Sequence, residues 1–162
     1  MKTNIGLIAY AEAQLGRPYW YGTFGQKSSE ALYLNRKKCY PKYYTATNFC
    51  KQYGLKVHDC IGLIKGYMWT SSADDTKPVY KSNGFNDLSA NMFYNSCKHK
   101  GLMSQGMPDI RGLAVFMDGH VGIYVGGGEV IEARGHAYGV VRTKLKERPW
   151  TKWAFIDAIE YK

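Results

Sequence analysis

The sequence predicts an α+β fold, with N-terminal helices packed on an antiparallel β-sheet. Three observations carry this expectation. Apolar residues recur at helical spacing over 5–15 and again over about 60–70. From Arg111 onward the pattern changes to short apolar strands separated by Asp118-Gly119 and by Gly126-Gly127-Gly128, both turn signals. Helices first and a strand meander second give segregated rather than alternating elements, which is the α+β order.

Thr3 or Asn4 is placed to cap the first helix. Ile5, Ile8, Ala9, Ala11 and Leu15 give it an apolar face, and Gly16 and Pro18 end it. Residues 17–57 are rich in Tyr, Lys and Ser, and are expected to form loops with one or two short helices, ordered because their aromatics need burial. A second helix starts near Cys60, capped by Asp59, and carries Ile61, Ile64, Tyr67 and Met68 at helical spacing. Residues 71–83 read as a polar loop around Pro78. A third helix covers Asp87 to Cys97, with Asn86 or Asp87 as its cap. Strands follow over Leu113–Met117, His120–Val125, Val130–Arg134, Gly139–Thr143 and Trp153–Glu160. No internal repeat or domain boundary is visible, so 1–162 is read as a single domain.

Composition bounds the function. At 162 residues the chain can bury a real core, and its 45% hydrophobic and 22% charged content excludes a disordered class. The net charge of +9 favours anionic partners. The densest basic runs are Arg36-Lys37-Lys38 and Lys144 to Arg148, which as bland surface would only keep the protein soluble. No nucleic-acid-binding motif accompanies the charge. The four cysteines are too few and too irregular for a disulfide scaffold. Cys39, Cys50, His58 and Cys60 lie in one segment, but without a Cys-x-x-Cys pair reduced thiols are expected, and neither metal nor cofactor. The N-terminus lacks the apolar run of a signal peptide and no stretch approaches membrane-spanning length. The expectation is cytoplasmic synthesis, without membrane insertion.

The most informative stretch is Asp59-Cys60-Ile61-Gly62-Leu63. A thiol in a first helical turn faces unpaired backbone N–H groups and the positive end of the helix dipole, which favour thiolate. Gly119-His120-Val121-Gly122-Ile123-Tyr124-Val125 supplies a histidine on a strand. His120, Gly122 and Tyr124 share one face, and Val121, Ile123 and Val125 the core face. If Gly126 to Gly128 form a three-residue loop, Val125 pairs with Glu129, and Glu132 becomes the diagonal neighbour of His120, with Gly122 leaving room for the contact. A loop of two or four residues would turn Glu132 to the other face. Cysteine, histidine and an orienting carboxylate are the parts of a thiol hydrolase.

These residues resemble the NlpC/P60 family of cell-wall cysteine peptidases, which have a papain-like core. The resemblance rests on Leu15-Gly16-Arg17-Pro18-Tyr19-Trp20-Tyr21-Gly22, on Asp59 to Leu63 and on Gly119 to Tyr124, in that order along most of the chain. It implies Cys60 as nucleophile, His120 as base and Glu132 as third residue. It places Tyr19, with Tyr21, Asp59 and Ile61, at the substrate side, and His136 is weighed as a substrate contact against a solvated loop histidine. The implied activity is hydrolysis of peptidoglycan stem peptides, usually at the γ-D-glutamyl–diamino acid bond, on an anionic cell wall. Two other readings stay open: an N-acetylmuramoyl-L-alanine amidase or other thiol amidohydrolase, and a wall-binding module with a silent site. Ile61 stands where the family usually has Ser, Leu113 replaces a frequent Asp, and residues 26–57 exceed what compact members carry. The single catalytic module without a signal peptide looks like a phage-type lysin, acting on the wall after release or delivery.

Overall fold

In the computed structural model, which describes residues 1–162, helix α1 (Asn4–Ala13) is followed by strand β1 (Phe24–Lys27), helix α2 (Glu30–Cys39) and strand β2 (Lys56–His58). Helices α3 (Cys60–Trp69) and α4 (Ala90–Ser96) come next. Strands β3 (Lys100–Leu102), β4 (Ala114–Met117), β5 (His120–Gly126), β6 (Glu129–Ala133), β7 (Val140–Lys144) and β8 (Lys152–Ala154) complete the chain. The last six form one antiparallel sheet in the order β3-β8-β4-β5-β6-β7, and β1 pairs with β2 separately. The α+β expectation holds. No helix is long and apolar enough to cross a membrane.

Helix α3 is the centre of the molecule. Every residue from Ile61 to Trp69 is buried, and Leu63, Ile64 and Met68 contribute roughly 1.5–3 kcal/mol each by leaving water. Its one buried cation, Lys65, is matched by Asp87 at 2.6 Å. The helix packs with α1 and α4 on the face of the sheet that carries Val121, Ile123, Val125, Ile131 and Ala133. The opposite face is not bare. Leu113, Val115, Tyr124, Val130 and Trp150 form a second, smaller core there.

Several boundaries differ from the sequence reading. The helix expected over Asp87–Cys97 starts at Ala90, because the Ser89 side chain accepts from the Met92 N–H and caps it. The strand expected over Trp153–Glu160 is only three residues long. Segment 17–57 holds β1 and most of β2, a pair that was not anticipated, and α2 buries none of its residues. That segment is rooted instead by a third apolar cluster of Trp20, Tyr44, Phe49 and Val57.

The β5–β6 hairpin departs from expectation in a way that cancels itself. Its loop has two residues, Gly127 and Gly128, both at positive φ, and Gly126 rather than Val125 faces Glu129. A two-residue turn alone would invert the face of every β6 side chain. The ladder absorbs one residue as a bulge between Tyr124 and Gly126, so Tyr124 pairs with Val130 and Ile123 with Ile131. Glu132 therefore stays on the face of His120.

Candidate active site

The loop-to-helix junction before α3 sets the position of Cys60. Asp59 has extended backbone and caps the helix, its Oδ1 accepting from the Gly62 N–H at 2.6 Å. Its Oδ2 accepts from the Gly22 N–H at 3.0 Å, tying the Tyr19-to-Gly22 segment to the helix start. Burial raises the Asp59 carboxyl above its ordinary range, against the pull of Lys65 and these two N–H groups.

The Cys60 Sγ lies 3.9 Å from the carbonyl oxygen of Gly119. The backbone N–H groups of Val121 and Ile61 also act on it. The sulfur is thus bracketed by the two chain neighbours of His120. Burial, followed by the Asp59 carboxylate, pushes the thiol up to about 12 and outweighs those N–H groups. Desolvation thus acts against the thiolate that a helix start favours.

His120 begins β5, one residue after the Asp118-Gly119 turn. Its Nε2 lies 2.9 Å from Glu132 Oε1. Glu132 has no exposed surface. Burial alone would raise its carboxyl, but hydrogen bonds from His120, Arg148 and Thr143 prevail and hold it down at about 2. The carboxylate can only accept, so Nε2 carries a proton in this bond.

Three residues that sequence reasoning missed build this arrangement. Thr143 Oγ1 donates to Glu132 Oε2 at 2.6 Å. Arg148 donates from Nη2 to Oε1 at 2.7 Å and from Nε to Oε2 at 3.1 Å. Trp150 stacks on the His120 ring, with centroids 5.4 Å apart and planes 14° from parallel. Arg148 is thus no member of a solvated basic run. A Cβ at Gly122 would meet Val130 Cγ1 at 2.7 Å and Trp150 Cη2 at 2.9 Å. The missing side chain makes room for Trp150, not for the His120–Glu132 contact as the sequence suggested. The only sequence signal was an Arg and a Trp flanking Pro149 just beyond the last strand of the meander.

Cys60 opens into a cleft of about 470 Å³ whose walls include Tyr19, Tyr21, Asp59, Ile61 and Gly119. Ile61 is also part of the main core. Tyr19 is buried, and its phenol is raised by burial and by the nearby Cys60 and Asp59. Tyr21 stacks face to face on Tyr43 at 3.7 Å. Segment 26–57 adds Arg36, Tyr40 and Tyr43 to the same cleft. His136 is not a solvated loop residue. It sits behind Tyr19, edge-on to Tyr19, Tyr44 and Phe49 at 5.0–5.2 Å. Both ring nitrogens are buried without a partner, and burial lowers its pKa to about 4. His58 is fully buried and bonds Tyr10 through Nε2 at 2.7 Å. Nowhere do three or more His, Cys, Asp or Glu side chains gather closely enough to hold a metal ion.

A central helix that starts at a cysteine and packs on an antiparallel sheet whose strand starts at a histidine is the fold of NlpC/P60 domains. Among solved structures, the chain is similar to the peptidoglycan hydrolase RipB from Mycobacterium tuberculosis, with 22% identity and a TM-score of 0.56 over 98% of this chain. It spans 65% of that RipB chain. The P60 domain of an antigen from M. avium subspecies paratuberculosis matches at 20% identity and a TM-score of 0.55, covering 98% of this chain and 96% of that one. The NlpC/P60 domain of the peptidoglycan hydrolase SagA matches at 15% and 0.53, covering 95% and 99%. No family model and no curated protein matches the sequence.

Proposed function

We propose that this chain is a cysteine peptidase of NlpC/P60 type that hydrolyses peptidoglycan stem peptides, with Cys60 as nucleophile, His120 as base and Glu132 as orienting residue. The observation that carries the reading is the placement of the Cys60 thiol between the neighbours of a histidine whose Nε2 is held by a buried carboxylate. Two of the solved domains with this fold belong to peptidoglycan hydrolases. The net charge of +9 suits an anionic wall, where it would speed encounter and be weakened by salt.

In the proposed reaction Cys60 Sγ attacks the amide carbonyl carbon while its proton passes to His120 Nδ1. A thiol pushed up to about 12 favours transfer during attack over a standing thiolate–imidazolium pair. The Cys60 backbone N–H, unpaired at the start of α3, is placed to stabilise the oxyanion. His120 then gives the proton to the departing amine, leaving a thioester on Cys60. Water, activated by the same Nδ1, hydrolyses the thioester and restores the thiol. The favoured bond is γ-D-glutamyl–diamino acid.

Digestion of purified peptidoglycan with wild type and Cys60→Ala, with new termini identified by mass spectrometry, tests this reading. A new free amine on the diamino acid, absent with Cys60→Ala, is expected. Free lactyl groups would reassign the chain to the amidases, and equal release by Cys60→Ala would remove the mechanism.

A further inference from the structure

Four charged side chains line the Cys60 cleft: Arg36, Asp59, Lys65 and Asp87. Three are matched within the protein. Both Asp59 oxygens accept backbone N–H groups, and Lys65 and Asp87 pair at 2.6 Å. Arg36 is different. Its Nε is shielded from water without a hydrogen-bond partner, and none of the ion pairs of the chain includes it.

Arg36 also stands against the Gly22 backbone, which is tied to the residue before Cys60. Its Cδ comes within 3.5 Å of where a Gly22 Cβ would lie, and the Gly22 N–H bonds the Asp59 carboxylate that precedes Cys60. Beside it the stacked Tyr21–Tyr43 pair and the edge-on Tyr40 form an aromatic wall. With Nε shielded and no side chain bonded to its Nη atoms, the guanidinium keeps its fork free for an anion. A carboxylate matches that fork with two parallel hydrogen bonds, while the tyrosines take the apolar part of the same ligand.

We propose that Arg36, carried into the cleft by α2, is a substrate-recognition residue for a free carboxylate on the acyl-side residue of the scissile amide. The selected substrates are γ-glutamyl peptides that retain the α-carboxylate, and the disfavoured ones carry a carboxamide there. This rests on the hydrolase reading above for its substrate class.

Two γ-D-glutamyl–diamino acid peptides differing only in α-carboxylate or α-carboxamide are turned over by wild type, Arg36→Gln and Arg36→Lys. The expected wild-type kcat/KM ratio favours the carboxylate by about 10- to 100-fold, as a charge-assisted hydrogen bond provides. The ratio should fall close to one in Arg36→Gln and be partly kept in Arg36→Lys. Calorimetric titration of both peptides into Cys60→Ala and into Cys60→Ala/Arg36→Gln reads the same ratio in Kd without turnover. A wild type indifferent to the carboxylate, or an unchanged ratio in Arg36→Gln, overturns the proposal. Arg36-dependent binding of the carboxylate peptide without cleavage of either by wild type would sink the hydrolase reading and leave this subsite standing.

Discussion

Arg148 grips the Glu132 carboxylate with two side-chain nitrogens, Nη2 on Oε1 and Nε on Oε2, while His120 Nε2 shares Oε1 at 2.9 Å. The negative charge that faces the imidazole is therefore already matched by a guanidinium. The raised Cys60 thiol points toward a resting site that is neutral at Cys60.

The Glu132 cluster should mark the acid limb of stability. Its carboxyl lies at about 2 in the fold against an ordinary value of 4.5. The contribution is fully present above about 4.5 and lost as pH falls from there toward 2, on the order of 3 kcal/mol in all. Denaturant titrations from pH 6 to pH 2 should show this loss in wild type. Glu132→Gln should be less stable at pH 6 and lack that part of the slope. Arg148→Ala should cost about 3–5 kcal/mol at pH 7, because it strips the main counter-charge from a buried carboxylate.

Thiol reactivity gives a second outcome. With Cys39 and Cys50, both exposed, replaced by Ser, iodoacetamide alkylation of Cys60 should accelerate about tenfold per pH unit between pH 7 and 10, as expected for a thiol pushed up to about 12. A rate already on a plateau at pH 6 would mean a standing thiolate and contradict this reading.

Gly122→Ala should disturb His120 without touching it. The added Cβ must displace Trp150 or Val130, at about 1–3 kcal/mol of strain. Trp150 is the ring stacked on His120. Activity on peptidoglycan should fall by more than the stability loss explains, and Trp150→Phe, which keeps a stacking ring, should fall less than Trp150→Ala.

Tyr10→Phe tests the support under the nucleophile. His58 ends β2 just before Asp59 and is fully buried. Its Nδ1 has no partner, and its Nε2 has only the Tyr10 hydroxyl. Burial, with nearby Lys56 and Arg17, lowers its pKa well below the usual range, so it stays neutral. Losing the hydroxyl leaves a buried ring nitrogen unsatisfied, for about 1–3 kcal/mol in chemical denaturation. Gly66 supplies the space in which Tyr10 and His58 meet.

The elements legible in the sequence were those whose periodicity runs over several residues. Helix α1, helix α3 and the meander of β4 to β7 have that length. Strands β1, β2 and β3, with three or four residues each, carry no readable alternation. Cys60, His120 and Glu132 could be singled out because a capping residue and a strand period are local rules. Arg148, Thr143 and Trp150 could not, since they reach Glu132 and His120 from β7 and the connection beyond it. Arg36 read as one of three basic residues in a run, and only the tertiary path of α2 sets it apart from Lys37 and Lys38.

The bulge between Tyr124 and Gly126 bears on how this chain tolerates length changes. Turn and bulge have offsetting effects on side-chain parity, so the glycine tip is where a residue can be gained or lost while the strands below keep their pairing. A single insertion between His120 and Ile123 has no such outlet and would send the imidazole to the face occupied by α3. Over evolutionary time, variation in hairpin length is expected to collect at 125–128, while the spacing from His120 to Tyr124 stays fixed.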